Sequence, residues 1–157
     1  MKGFPVDFLE QVYAKGLWLF VEADGAKRMP VKAPEEHEPV VVPFSTDVLA
    51  VYGLDAVGRP IGEVCFRVDK VTALLGKTPA DILTAVDIVR LAASASGGRK
   101  QVTHGMHYSV ILNKADTLER IAVAEEIARG LRAAGIETIL ATADLMPERT
   151  EKMVAFR

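Results

Sequence analysis

Leu17-Trp18-Leu19-Phe20-Val21 is apolar at every position and rich in aromatic and branched side chains. A strand with one wet face alternates apolar and polar residues, so a run without alternation predicts a strand buried on both faces, as in a parallel sheet. Thr46–Tyr52, Tyr108–Leu112 and Ile136–Thr142 read as further strands, with short extended pieces at Val40-Val41-Val42-Pro43 and Gly62–Arg67. Between them lie stretches with helical spacing. Val6–Lys15 places Phe8, Leu9, Val12 and Tyr13 on one stripe before Gly16, and Val68–Leu75 stops at Gly76. Asp81–Ala95 sets Ile82, Val86, Val89 and Ala93 on one face. Leu118–Ala134 carries Leu118, Ile121, Ala122, Ala124, Ala128 and Leu131 inward, with Gly135 as its stop. Strand and helix in alternation predict a single three-layer α/β domain over residues 1–157, built on a mostly parallel sheet.

Composition narrows the function classes. With 157 residues, half of them hydrophobic, the chain is long enough for one core. A formal charge of −2 offers no broad basic field, which argues against nucleic acid as a partner. The lone Cys65 makes no intramolecular disulfide and no zinc-finger spacing, which suits a reducing cytoplasm. No run approaches the length of a membrane span and no signal peptide is visible, so the expectation is a cytoplasmic protein away from membranes.

Chemistry gathers where the apolar runs end. Glu22 and Asp24 follow the first run at i and i+2, so a continued pleat sends both carboxylates to one side before Gly25 permits a turn. Two acids at the carboxyl end of a strand suit Mg²⁺, or water positioned for catalysis, and equally suit a cap plus a solvated acid. Lys27, Arg28, Lys32 and His37 lie in a loop stiffened by Pro30, Pro34 and Pro39, a pattern that fits an anion or nucleotide. Lys100, in the basic turn after Gly97-Gly98, either faces that site or is solvated. Asp55, just past the second strand, reads as a turn acid or a ligand. His104 and His107 lack a third metal ligand, and Gly105 argues against a helix there.

Two motifs point to phosphate and base recognition with different force. Gly76-Lys77-Thr78 matches the tail of a phosphate-binding loop, but it has no earlier glycine turn and Pro79 follows. It reads as a helix end and a helix start, with Thr78 as N-cap, Pro79 at the first helical position and Asp81 in the first turn. Asn113-Lys114-Ala115-Asp116 sits between a strand and a helix, where a carboxylate can accept two hydrogen bonds from a guanine edge while a lysine stem packs on the ring. The same residues also make an Asn turn and an N-cap.

The blocks EADGAKRMPVKAPEEHEPVVVP, GLDAVGRPIGE and VILNKAD, spread over roughly Val21 to Asp116, resemble the YqeC family of selenium-dependent hydroxylase accessory proteins. The resemblance implies a domain similar to the later part of a P-loop NTPase and a role in maturing selenium-dependent molybdenum hydroxylases. It also implies a guanine nucleotide at Asn113, Lys114 and Asp116, Mg²⁺ at Glu22 and Asp24, and a hydroxylase or a cofactor-maturation protein as partner. The family places a glycine-rich phosphate loop before its EADG block, which Met1 to Gly16 does not contain, and Phe66 stands where the family has His before Arg67. These departures predict a chain that is not a competent NTPase alone, with a sheet edge closed by a partner, most simply in a homodimer. The alternative is a non-catalytic α/β binding or scaffold protein that recognises a partner or small anion through Lys32–His37.

Overall fold

The computed structural model describes residues 4–140 and 154–155. The main sheet runs β2 (Asp47–Gly53), β4 (His107–Asn113), β5 (Glu137–Leu140) and β6 (Val154–Ala155) in that spatial order. The first three strands are parallel and β6 is antiparallel to β5. A second ladder of two parallel pairs joins β1 (Val31–Lys32) to β3 (Cys65–Phe66). The chain is an α/β protein with parallel sheets, as expected.

One face of the main sheet carries the core. Tyr108, Val110 and Leu112 of β4 are buried, as successive side chains two apart must be when one side is covered. Against them pack α4 (Ala85–Ala93), through Ile88, Leu91 and Ala92, and α5 (Leu118–Ala133), through Ala124, Ile127 and Leu131. The Tyr108 hydroxyl donates to the Ala92 carbonyl at 2.9 Å, tying strand to helix. Gly130 lets the two helices approach: a Cβ there would lie 2.8 Å from Val89 Cγ2, whose β-branched side chain has little rotamer freedom in a helix. On the opposite face Leu49 and Val51 of β2 are exposed. No helix among the described residues is long and apolar enough to cross a membrane.

Several sequence expectations shift. The run Leu17–Val21 is not a strand: its residues lie outside any ladder, and Trp18 is 92% and Phe20 84% exposed. An apolar run becomes a strand only where neighbours bond its backbone, and among the described residues none does. The first helix, α1 (Val6–Tyr13), buries none of its residues. The segment after β2 is a 3₁₀ turn, Leu54–Ala56, followed by a short helix α2 (Ile61–Val64) that takes the first part of the expected extended piece Gly62–Arg67, of which Cys65–Phe66 is strand β3. Helix α3 (Val68–Leu75) matches its predicted bounds and ends on Gly76 in the left-handed region, φ 67°.

The fourth helix begins four residues later than predicted. Residues 79–83 make a turn and then an isolated antiparallel bridge, because their backbone pairs with 58–62: Leu83 N–H donates to Arg59 O, Gly58 N–H to Leu83 O, and Ile61 N–H to Asp81 O. The cap is therefore Thr84, in a capping box with Asp87, while Asp81 accepts from the Thr78 backbone and hydroxyl in a turn. The later start rotates the inward face to Ala85, Ile88, Leu91 and Ala92, leaving Ile82 and Val86 exposed. In α5 Leu118 is 86% exposed and Ala122 is exposed, whereas Ile127, absent from the predicted stripe, is fully buried. The tail, residues 143–157, lies outside the described residues apart from β6.

Lys77, the lysine of Gly76-Lys77-Thr78, donates to the Ile82 carbonyl at 3.0 Å and to the buried Asp87 carboxylate. Burial opposes the Asp87 charge, yet the bonds from Lys77 and Thr84 outweigh it and hold the pKa below the usual carboxylate value. This lysine is a structural clamp at the start of α4. Asp87→Ala removes the carboxylate half of the capping box and the clamp's acceptor, and is expected to cost about 2–3 kcal/mol in urea unfolding. Lys77→Ala is expected to cost less, because Asp87 keeps its Thr84 bonds.

Candidate nucleotide site at the strand ends

The seven-residue register of β2 on β4 sets Gly53 opposite Asn113, so the two chains leave the sheet side by side at its carboxyl end. Parallel α/β sheets bind ligands at that end. From β2 comes Asp55, in the turn whose flanking Leu54 and Ala56 are buried. From β4 come Asn113 and Lys114, then Ala115, which is buried and pins the loop, then Asp116. The Lys114 ammonium lies 2.5 Å from Asp55 Oδ2. Lys114 has a left-handed backbone, φ 67°, and its own N–H donates to Asn113 Oδ1 at 2.9 Å. Arg120, one turn into α5, reaches both the Lys114 carbonyl and Asp116 Oδ2 at 3.5 Å, and Thr117 caps the helix by accepting from the Arg120 N–H. The structure therefore brings Asn113, Lys114 and Asp116 together with Asp55, which the sequence left between turn acid and ligand.

The residues of the first block form a different assembly. Asp24 pairs with Lys32 at 2.7 Å, and Lys32 also donates to Glu38 Oε2 at 3.1 Å and to the Gly25 carbonyl at 3.0 Å. Glu38 receives both terminal nitrogens of Arg67, one at 2.8 Å. Arg67 Nε and Lys70 Nζ each lie 3.5 Å from Glu35. Lys100 donates to the carbonyls of Glu35 and Glu36. Lys27 stands 5.1 Å from the centre of the Phe66 ring, which Arg67 also approaches at 4.7 Å. Arg28, His37 and Glu22 are exposed.

The turn expected at Gly25 falls instead on Lys27-Arg28. Both have positive φ, 48° and 64°, and Met29 N–H donates to Ala26 O at 2.9 Å across them. Of the five residues expected to hold an anion, Lys32 and Lys100 are engaged by their own chain and Lys27 lies over a ring. The partners Glu38, Glu35 and Arg67 escaped sequence reasoning because no spacing rule joins residues as far apart as Glu38 and Arg67. The two assemblies are linked where Gly53 N–H donates to Pro30 O at 2.9 Å. No group of three or more His, Cys, Asp or Glu side chains poised for a metal occurs among the described residues. His104 and His107 are both exposed.

The Arg67 guanidinium, with help from Lys32, holds the Glu38 carboxyl at about 2 against burial that pushes it up. A depressed carboxyl stabilises the fold fully above its unfolded value of 4.5, and that contribution is lost as pH falls toward about 2. Melting temperature is accordingly expected to drop across this window in the wild type, and to drop less steeply in Glu38→Gln. Circular dichroism melts over the same range check it.

A family model described as YqeC protein matches residues 1–69. A protein of Escherichia coli strain K12 named "Uncharacterized protein YqeC" is 31% identical over 122 residues, 77% of this chain and 48% of the relative. The chain thus spans about half the length of the curated relative it matches. No solved structure matches. By the family match over residues 1–69 and this identity to a YqeC protein, the chain belongs to the YqeC family.

Proposed function

We propose that this chain binds a guanine nucleotide at the carboxyl ends of β2 and β4 and acts as an accessory factor in maturing selenium-dependent molybdenum hydroxylases. The observation that carries the nucleotide reading is the placement of Asn113-Lys114-Ala115-Asp116 between β4 and α5, at the end of the sheet where such folds take ligands. Guanine presents an N1–H and an exocyclic amine on one edge, and the Asp116 carboxylate accepts both. Adenine presents no such pair. The hydroxylase role rests on family resemblance, and the partner it implies is a hydroxylase or a protein of its cofactor maturation.

Mg²⁺ is commonly held by one or two carboxylates together with substrate phosphates and water. Glu22, exposed near the loop, fits that need, whereas Asp24 fits only after release from Lys32. Lys77 is engaged at the start of α4 and offers no phosphate cradle. The function proposed is therefore binding, with turnover dependent on groups outside these 157 residues.

Calorimetry with GTP, GDP and ATP tests the base site. Guanine nucleotides are expected to bind in preference to ATP, and Asp116→Ala to cost about 1.5–3 kcal/mol for each charge-assisted bond lost. Equal affinity for ATP, or an Asp116→Ala variant that binds as the wild type does, removes this reading.

A partner-binding role has its own support. Leu17, Trp18, Phe20 and Val21 are exposed, as are Leu49 and Val51 of β2, and the outer edge of β2 bonds the described residues only through Gly53. Aromatic side chains cover about 150–250 Å² each, so this set approaches the roughly 800 Å² per partner of a standard interface. We assign this surface to a second copy of the chain, pairing edge to edge. Light scattering is expected to give a dimer that Leu49→Lys weakens, with Trp18 fluorescence moving to the red on dissociation. A wild-type monomer at the highest concentration reached excludes it.

A further inference from the structure

Asp55 takes no part in the base contacts proposed above, nor in the ion pairs around residues 24–38. Its Oδ2 holds the Lys114 ammonium, and its Oδ1 is buried with no hydrogen-bond partner among the described residues. Open buried acceptors are rare in folded proteins and concentrate where a structure has a use for them. A Cβ at Gly53 would stand 2.6 Å from Oδ1 and 2.7 Å from Pro30 Cβ, so the acid lies against bare backbone in a space that only glycine leaves. The turn that carries Asp55 is anchored by buried Leu54 and Ala56. Across the gap, Lys114 is fixed by its left-handed backbone and by the Asn113 side chain that takes its N–H.

We propose that Asp55 is a positioning residue for the ligand site: by holding the Lys114 ammonium, it lays the lysine's aliphatic stem across the carboxyl ends of β2 and β4 as a platform for a flat purine ring. The inference rests on the base-site reading and adds what holds the ring's face while Asp116 reads its edge. It also fixes the chemistry the lysine offers. An ammonium paired with a carboxylate is a poor partner for a phosphate, so the pair contributes to binding of the nucleoside and not of its phosphates.

Guanosine and GDP are the probes, titrated by calorimetry into wild type, Asp55→Asn, Lys114→Met and the double variant, each checked for folding by circular dichroism. Asp55→Asn is expected to weaken guanosine and GDP by the same factor, about tenfold, without changing the preference for guanine over adenine. Lys114→Met, which keeps the stem but loses the anchor, should weaken them similarly. The double variant should be no worse than either single one, because both remove the same contact. Unchanged guanosine affinity in both single variants overturns the anchor while leaving the base site standing. So does tighter GDP binding by Asp55→Asn with guanosine unaffected, since that is the behaviour of a lysine freed to bind phosphate. A wild type that binds neither guanosine nor GDP overturns the base site and the anchor with it.

Discussion

The parallel pairing of β2 with β4 is the constraint on which the rest of the molecule depends. Seven residues in register bring one strand's exit beside the other's, and a shift of one residue would exchange the buried face for the exposed one. Tyr108, Val110 and Leu112 would then meet solvent, and the helices packed on them would lose their floor. The same register puts Gly53 opposite Asn113. That alignment, and not any contact between the two loops themselves, is why Asp55 and Lys114 can meet although 59 positions separate them.

Around this sheet the chain uses charge locally. The capping box of α4, the Lys77 clamp on Asp87 and the Asp81 turn order one connection, and the Glu38–Arg67 fork orders another. Each satisfies polar groups that the fold has drawn partly out of water. Cys65 takes no part in such chemistry: burial raises its thiol to about 11, so it stays protonated and unreactive near neutrality.

How much of this was legible in the sequence depended on the range of the interaction responsible. Val68–Leu75 could be bounded to the residue because its stop, Gly76, is a local signal. The NKAD turn could be placed because an apolar strand precedes it and a helix follows. The start of α4 could not be, because Thr78-Pro79 reads as a helix entrance and the later start at Thr84 is set by backbone pairing with 58–62. Leu17–Val21 misled for a related reason: its apolar character is real, but a strand is a relation between two segments, and the partner is not encoded in the run itself. The basic loop was correctly seen as charged, while the acids that engage Lys32 lie on either side of it, at Asp24 and Glu38, and the Arg67 that Glu35 and Glu38 hold comes from after β3. Pairings of that kind become visible only when the chain is folded.

The loop network has a kinetic consequence. Asp24, Glu35 and Glu38 face Lys32, Arg67 and Lys70, three acids against three bases, so these six charges cancel among themselves. A surface balanced at such short range casts little field beyond a Debye length. These paired charges neither pull in nor repel an anionic ligand from a distance, and they add little ionic-strength sensitivity to its encounter rate. Whatever selectivity the molecule has on this flank is exercised after contact, when a ligand must separate an acid from its base in order to take the place of either.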